Sequence, residues 1–125
     1  MPGRSGAQGF PRSERLRGQD EFQAVFKVGR RIERPALLVL WRGWDGPRQI
    51  GFAVTRQVRG AVRRNRVRRR LREAYRVSRQ GLPAGLQIVC VGRKAAFDGA
   101  FQALRQDMEE ALTVVARQHR ESKSL

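Results

Sequence analysis

The stretch GFAVTRQVRGAVRRNRVRRRLREAYR, residues 51–76, decides how this chain is read. It opens on an alternating apolar strand, breaks at Arg59-Gly60, and continues as a helix densely set with arginine. From Arg56 to Arg79 there are eleven arginines and one acid, Glu73. Like charges at helical spacing repel, so such a helix costs stability unless something anionic lies against it.

At 100° per residue, Val67, Leu71, Ala74 and Ser78 share one side, with Tyr75 at its edge. Asn65, Arg69, Arg72 and Arg76 line the opposite side, flanked by Arg66, Arg68 and Arg79. The first turn departs from this sorting: Ala61 and Val62 point to the arginine side, and Arg64 lies nearer the core side. A merely solvated face would interleave acids in i,i+4 pairs, and only Glu73 is there to offer any. A helix lying on a membrane would need a broad apolar face of Leu, Phe or Trp; this stripe is only wide enough for a sheet. Phosphate binding fits best, each Arg–phosphate contact releasing counterions, with Asn65 adding directional hydrogen bonds. A DNA-reading helix carries varied base-contacting side chains near its N-terminus. The nearly unbroken arginine favours recognition of backbone and shape, as structured RNA demands.

The rest of the chain agrees with a small polyanion-binding domain. Its 125 residues suit one domain, and its formal net charge of +16 calls for a polyanionic partner. The single cysteine, Cys90, sits in the apolar run LQIVCV, so no disulfide framework or cysteine metal cluster is available, which suits a reducing cytoplasm. No apolar run approaches the ~18 residues of a membrane span. Residues 1–14 lack the apolar block of a signal peptide and read as a flexible basic tail. Residues 15–118 read as the folded domain and 119–125 as a flexible polar tail, in which the lone His119 is expected to be solvated.

Within the domain, Phe22, Val25 and Phe26 give a short amphipathic helix with Asp20 as N-cap and Gly29 as its stop. ALLVLW (36–41) and QIGFAVT (49–55), joined by the turn-rich RGWDGP, read as an antiparallel hairpin. A further short strand is possible around Arg31–Glu33. The arginine helix spans Ala61 to Ser78, LQIVCVG (86–92) is a buried strand, and Phe101, Leu104, Met108, Ala111, Leu112 and Val115 mark a closing helix with Asp98 placed to cap it. The fold class is α+β, helices packed on a small mixed sheet.

The strand, the basic step and the Arg64-Asn65-Arg66 motif on a basic helix resemble the signature of the bacterial ribonuclease P protein family. RLRGQDEFQAVFKVGR (15–30), with its paired phenylalanines, and LQIVCVGRKAAF (86–97) are similar to two further family segments in the same order. The resemblance implies an α-β-β-β-α-β-α domain of the ribosomal protein S5 domain 2-like kind, with a left-handed βαβ crossover. It implies assembly with a catalytic RNA that holds the Mg²⁺ ions and removes the 5′ leader of precursor tRNA, with no membrane or DNA partner. Carried onto this chain, Arg56, Arg64, Asn65, Arg66, Arg68, Arg69, Arg72 and Arg76 should face that RNA. Phe22 and Phe26 match the family's leader-binding cleft, with Lys27 and Arg30 holding leader phosphates. By spacing alone, Phe22 and Phe26 suit core packing better, and the resemblance brings partial exposure in the cleft level with it. Three departures stand out: Arg59-Gly60 replaces the usual Gly-Asn, Leu40 stands where an aromatic often lines the cleft, and TRQV carries one basic residue where two lysines are common.

The acids Asp45, Glu73, Asp98, Asp107, Glu109 and Glu110 form no acid/base or metal constellation, and no Ser-His-Asp or Cys-His arrangement is present. Asp107, Glu109 and Glu110 are expected to face solvent. The protein is therefore expected to have no catalytic or metal-binding residues and to be inactive by itself. The rival reading is a structural RNA binder of the ribosomal type. A DNA-binding architectural protein ranks third.

Overall fold

The computed structural model describes residues 14–16 and 18–123. Helix α1 (Gly18–Val28) leads into strands β1 (Arg30–Glu33), β2 (Leu37–Gly43) and β3 (Gln49–Val54). Helix α2 (Ala61–Ser78), strand β4 (Leu86–Gly92), a short helix α3 (Lys94–Asp98) and the long α4 (Phe101–Lys123) follow. The order is α-β-β-β-α-β-α with α3 inserted. Asp20 lies within the first turn of α1 rather than capping it. Asp98 closes α3, 3.9 Å from Lys94, and the first bonds of α4 run to the Ala100 carbonyl.

The four strands lie in the order β1-β2-β4-β3. Strand β2 is antiparallel to both β1 and β4, and β3 is parallel to β4. The expected β2–β3 hairpin is thus corrected: β4 inserts between them, and α2 carries the crossover. The cause is visible in β4, where every residue but Val91 is buried. A strand covered on both faces belongs inside the sheet with a neighbour on each side, and a β2–β3 hairpin would leave it at an edge.

Alternation along the strands sorts two layers. Ile32, Val39, Trp41, Ile50, Ile88 and Cys90 point to one face, where they meet Val67, Leu71, Ala74 and Tyr75 of α2 and Leu104, Met108, Leu112 and Val115 of α4. Each fully buried aliphatic side chain there contributes about 1.5–3 kcal/mol, which offsets the repulsion stored in α2. Gly92 permits this approach, since a Cβ there would come within 2.5 Å of Val67 Cγ1. Burial pushes the Cys90 thiol up to about 12. On the other face, Leu40 and Val89 pack beneath Val25 of α1.

Both domain limits differ from expectation. Residues 1–13 lie outside the described residues, but Glu14 is buried, its carboxylate held by Arg48 and Arg79. At the other end α4 runs on to Lys123, and His119 is only 5 % exposed. The stripe through Val115 continues to His119 at i+4, which brings the imidazole edge-on to Trp41 with ring centroids 5.9 Å apart. Asp107 also turns inward, accepting the Ala36 N–H at 2.9 Å, and Glu110 lies 3.7 Å from Arg34.

Candidate nucleic-acid interface

The site begins where β3 ends. Thr55 N–H bonds the Gly92 carbonyl, Val58 N–H bonds the Thr55 carbonyl, and Gly60 turns the chain at φ +90° into α2. That backbone conformation favours glycine. The Arg64 guanidinium closes the turn, donating to the carbonyls of Val54, Thr55 and Val58 at 3.0, 2.8 and 3.0 Å. Arg64, expected to face a partner RNA, is instead directed inward and holds the turn together.

The outer side of α2 matches expectation better. Arg56, Asn65, Arg66, Arg69 and Arg72 are exposed; Arg68 is half-buried and donates to Asn65 Oδ1 at 3.1 Å. Val62, Asn65, Arg68, Arg69 and Arg72 line a shallow depression of about 420 Å³. Arg76 is committed to Glu73 by two hydrogen bonds, which hold the Glu73 carboxyl below its ordinary range. Among the described residues no carboxylate pairs with Arg56, Arg66, Arg68, Arg69 or Arg72. This row of guanidiniums around one amide presents fork-shaped donors with no carboxylate partner among the described residues, the geometry that suits phosphate oxygens.

Three arginines of α2 have roles that their spacing did not suggest. Arg70 donates to the Phe97 and Gly99 carbonyls at 3.2 and 2.8 Å, tying α2 to the end of α3. Arg63 and Arg66 each stack over the Phe97 ring at 5.8 Å. The only sequence signal for this was Phe97 itself, at the end of the third family-like segment.

The second half of the site lies on the α1 face. Phe22 is half-buried, and Phe26 is 45 % exposed. Leu40 is fully buried beneath Val25, so it cannot line an open cleft. The accessible apolar strip is one row further along, where Leu38, Val91 and Ala53 lie side by side and half-buried. Ala53 is the penultimate residue of β3, so this strip lies at the sheet end where the turn into α2 and the arginine row begin. Lys27 is exposed on the last turn of α1. Arg30 does not join these residues. It pairs with Trp41, points to the opposite face and stacks over the Trp41 ring at 5.4 Å. Arg31, one residue on, pairs with Leu40 and faces the α1 side, exposed and 3.7 Å from Glu33. A shift of one residue along a strand changes the face.

Comparison with known proteins bears on the arginine row of α2 and the partly exposed phenylalanines of α1. The ribonuclease P family profile matches residues 10–116. The chain belongs to the ribonuclease P protein family. It is 41 % identical over 104 residues to the ribonuclease P protein component of Gluconacetobacter diazotrophicus, covering 81 % of this chain and 90 % of that protein. It is 41 % identical over 98 residues to that of Symbiobacterium thermophilum, covering 77 % and 85 %. Among solved structures, the RNase P protein from Thermotoga maritima superposes with a TM-score of 0.69 at 31 % identity, covering 79 % of this chain and 94 % of that one. The Staphylococcus aureus RNase P protein shares the fold at a TM-score of 0.71 and 21 % identity, covering 83 % and 96 %. Family membership places the chain in tRNA processing, as a protein component of a ribonucleoprotein endoribonuclease. No helix among the described residues is long and apolar enough to cross a membrane.

Proposed function

We propose that this protein binds the catalytic RNA of ribonuclease P through the outer face of α2 and the 5′ leader of precursor tRNA through the cleft between α1 and the sheet. The observation that carries this reading is the row Asn65, Arg68, Arg69 and Arg72, with Arg66 and Arg56 beside it, whose arginines lack carboxylate partners among the described residues. In a cytoplasmic ribonucleoprotein, RNA phosphates would supply the missing charge. Phe22, Phe26 and the Leu38–Val91–Ala53 strip offer apolar surface to unstacked leader bases, and Lys27 and Arg31 offer charge to its phosphates. In this reading the RNA holds the Mg²⁺ ions that cleave the phosphodiester. The described residues of the protein bring no three His, Cys, Asp or Glu side chains together as a metal site.

Single-turnover cleavage of a precursor tRNA by a ribonuclease P RNA at low Mg²⁺, with and without the protein, tests this. The native chain should accelerate cleavage, and Arg66→Ala/Arg69→Ala should lose most of that effect. A native chain that binds the RNA yet changes neither cleavage nor substrate affinity would make it a structural RNA binder instead.

A further inference from the structure

A cavity of about 450 Å³ opens where the last turn of α1 gives way to β1, with Val28 and Arg30 on that side. It lies at the β1–β2 side of the sheet, whereas α2 packs on β3 and β4. The chain has two tryptophans, and both line it. Trp41 is buried with its Nε1–H donated to Gln118 Oε1 at 2.9 Å, and Trp44 donates its Nε1–H to the Pro47 carbonyl at 2.9 Å. Neither indole has a donor left, so what they offer a ligand is ring surface. Trp44 is held in place by Gly46, where a Cβ would fall 2.5 Å from the ring. The Arg30 guanidinium, stacked over Trp41, also lines the cavity and reaches Ser122 Oγ at only 3.4 Å.

The charge of the lining narrows the occupant. His119 is held below its ordinary value, first by burial and then by Lys123, and so brings no charge near neutral pH. Arg42 is engaged by Gln87 at 2.7 Å. Gln87 is a neutral partner, so Arg30, Arg42 and Lys123 all stand as cations against the single carboxylate of Asp45. Aromatic surface without free donors suits a flat ring, and the excess of cations suits an anion attached to it. The volume is within the ~300–1,000 Å³ typical of small-ligand sites.

We propose that this cavity holds one unpaired nucleotide of the tRNA leader, beyond the bases on Phe22 and Phe26. Its base stacks on Trp44 and the Arg30 guanidinium, and its phosphate meets Lys123. Asp45 accepts a base or ribose hydrogen. The assignment to the leader rests on the function proposed above and on Val28, the last residue of α1, which lines the cavity two residues on from Phe26.

The test uses the complex of the full chain with a ribonuclease P RNA, titrated with precursor tRNAs whose leaders lengthen one nucleotide at a time. At one leader length, tryptophan emission should be quenched and Kd should fall at least about fivefold, the lower end of what one base–aromatic stack contributes. Trp44→Leu and Lys123→Gln should each remove that step and leave Kd for shorter leaders unchanged. A series without a step, or a step that survives both variants, would overturn the proposal. In a second arm the free chain is titrated with adenosine monophosphate. Saturable quenching there, combined with no leader step in the complex, would overturn the leader as occupant. If the native chain does not assemble with the RNA at all, the proposed function fails first. This arm then decides the nucleotide pocket separately: quenching upholds it and no quenching overturns it.

Discussion

The Phe22 ring rests on Gly51: a Cβ at residue 51 would lie 2.3 Å from Phe22 Cζ and 2.8 Å from Cε1. Helix α1 can therefore settle on the sheet only because β3 has no side chain at this point. Gly51→Ala should displace the ring and destabilise the fold by about 1–3 kcal/mol, the usual range for overpacking. Gly51→Ala/Phe22→Leu should recover part of the loss. Urea denaturation of the three proteins measures this, and an unchanged midpoint for Gly51→Ala would contradict the packing.

Arginines of α2 should divide into two kinds. Arg64 serves three carbonyls, so Arg64→Ala should cost about 1.5–3 kcal/mol of stability, the range for hydrogen bonds from a charged group. Arg64→Lys should not restore it, because an ammonium lacks the planar fork. Arg69→Ala and Arg72→Ala should leave the melting temperature unchanged or raise it by relieving repulsion. Each should instead reduce the salt dependence of RNA binding, lowering the log–log slope by about 0.7–0.9. Thermal melts and RNA binding at several salt concentrations separate the two kinds.

Glu14 is 8 % exposed and accepts from Arg48 Nε at 2.8 Å and from Arg79. Glu14→Gln should cost about 2–3 kcal/mol, less than the ~3–5 of a fully buried pair because Arg79 remains 31 % exposed. Denaturant titration of the native chain and the variant measures the loss.

His119 titrates below its ordinary value in the fold, so the unfolded chain binds a proton more readily than the native one. Stability linked to it is fully present above the unfolded value of about 6.5 and is lost as pH falls from there toward the lower native value. His119→Gln should flatten the fall in stability as pH drops below about 6.5. Chemical denaturation across that range measures it, and parallel profiles for native and variant chains would refute the assignment.

Much of the fold was legible locally. The bounds of α2, Ala61–Ser78, and of β4, Leu86–Gly92, follow from periodicity and from Gly60 and Gly92 at their ends. The exposed arginine row was equally legible, because the side of a helix on which a residue falls depends only on spacing. Tyr75, placed at the edge of the core stripe, is in fact fully buried, while Ser78 is half-buried, a shift of less than one turn.

By itself the sequence determined the helices, the buried strand, the uncompensated charge and the family, all of which are written in neighbouring residues. Only the tertiary structure decided that β4 separates β2 from β3, that Arg30 lies on Trp41 while Arg31 takes the cleft side, and that Arg64 turns inward. It alone drew Glu14 and His119 into the domain. The physical reason is range. Amphipathic period and charge density act over a few residues, whereas strand order and the partner of each guanidinium depend on groups brought together from distant parts of the chain.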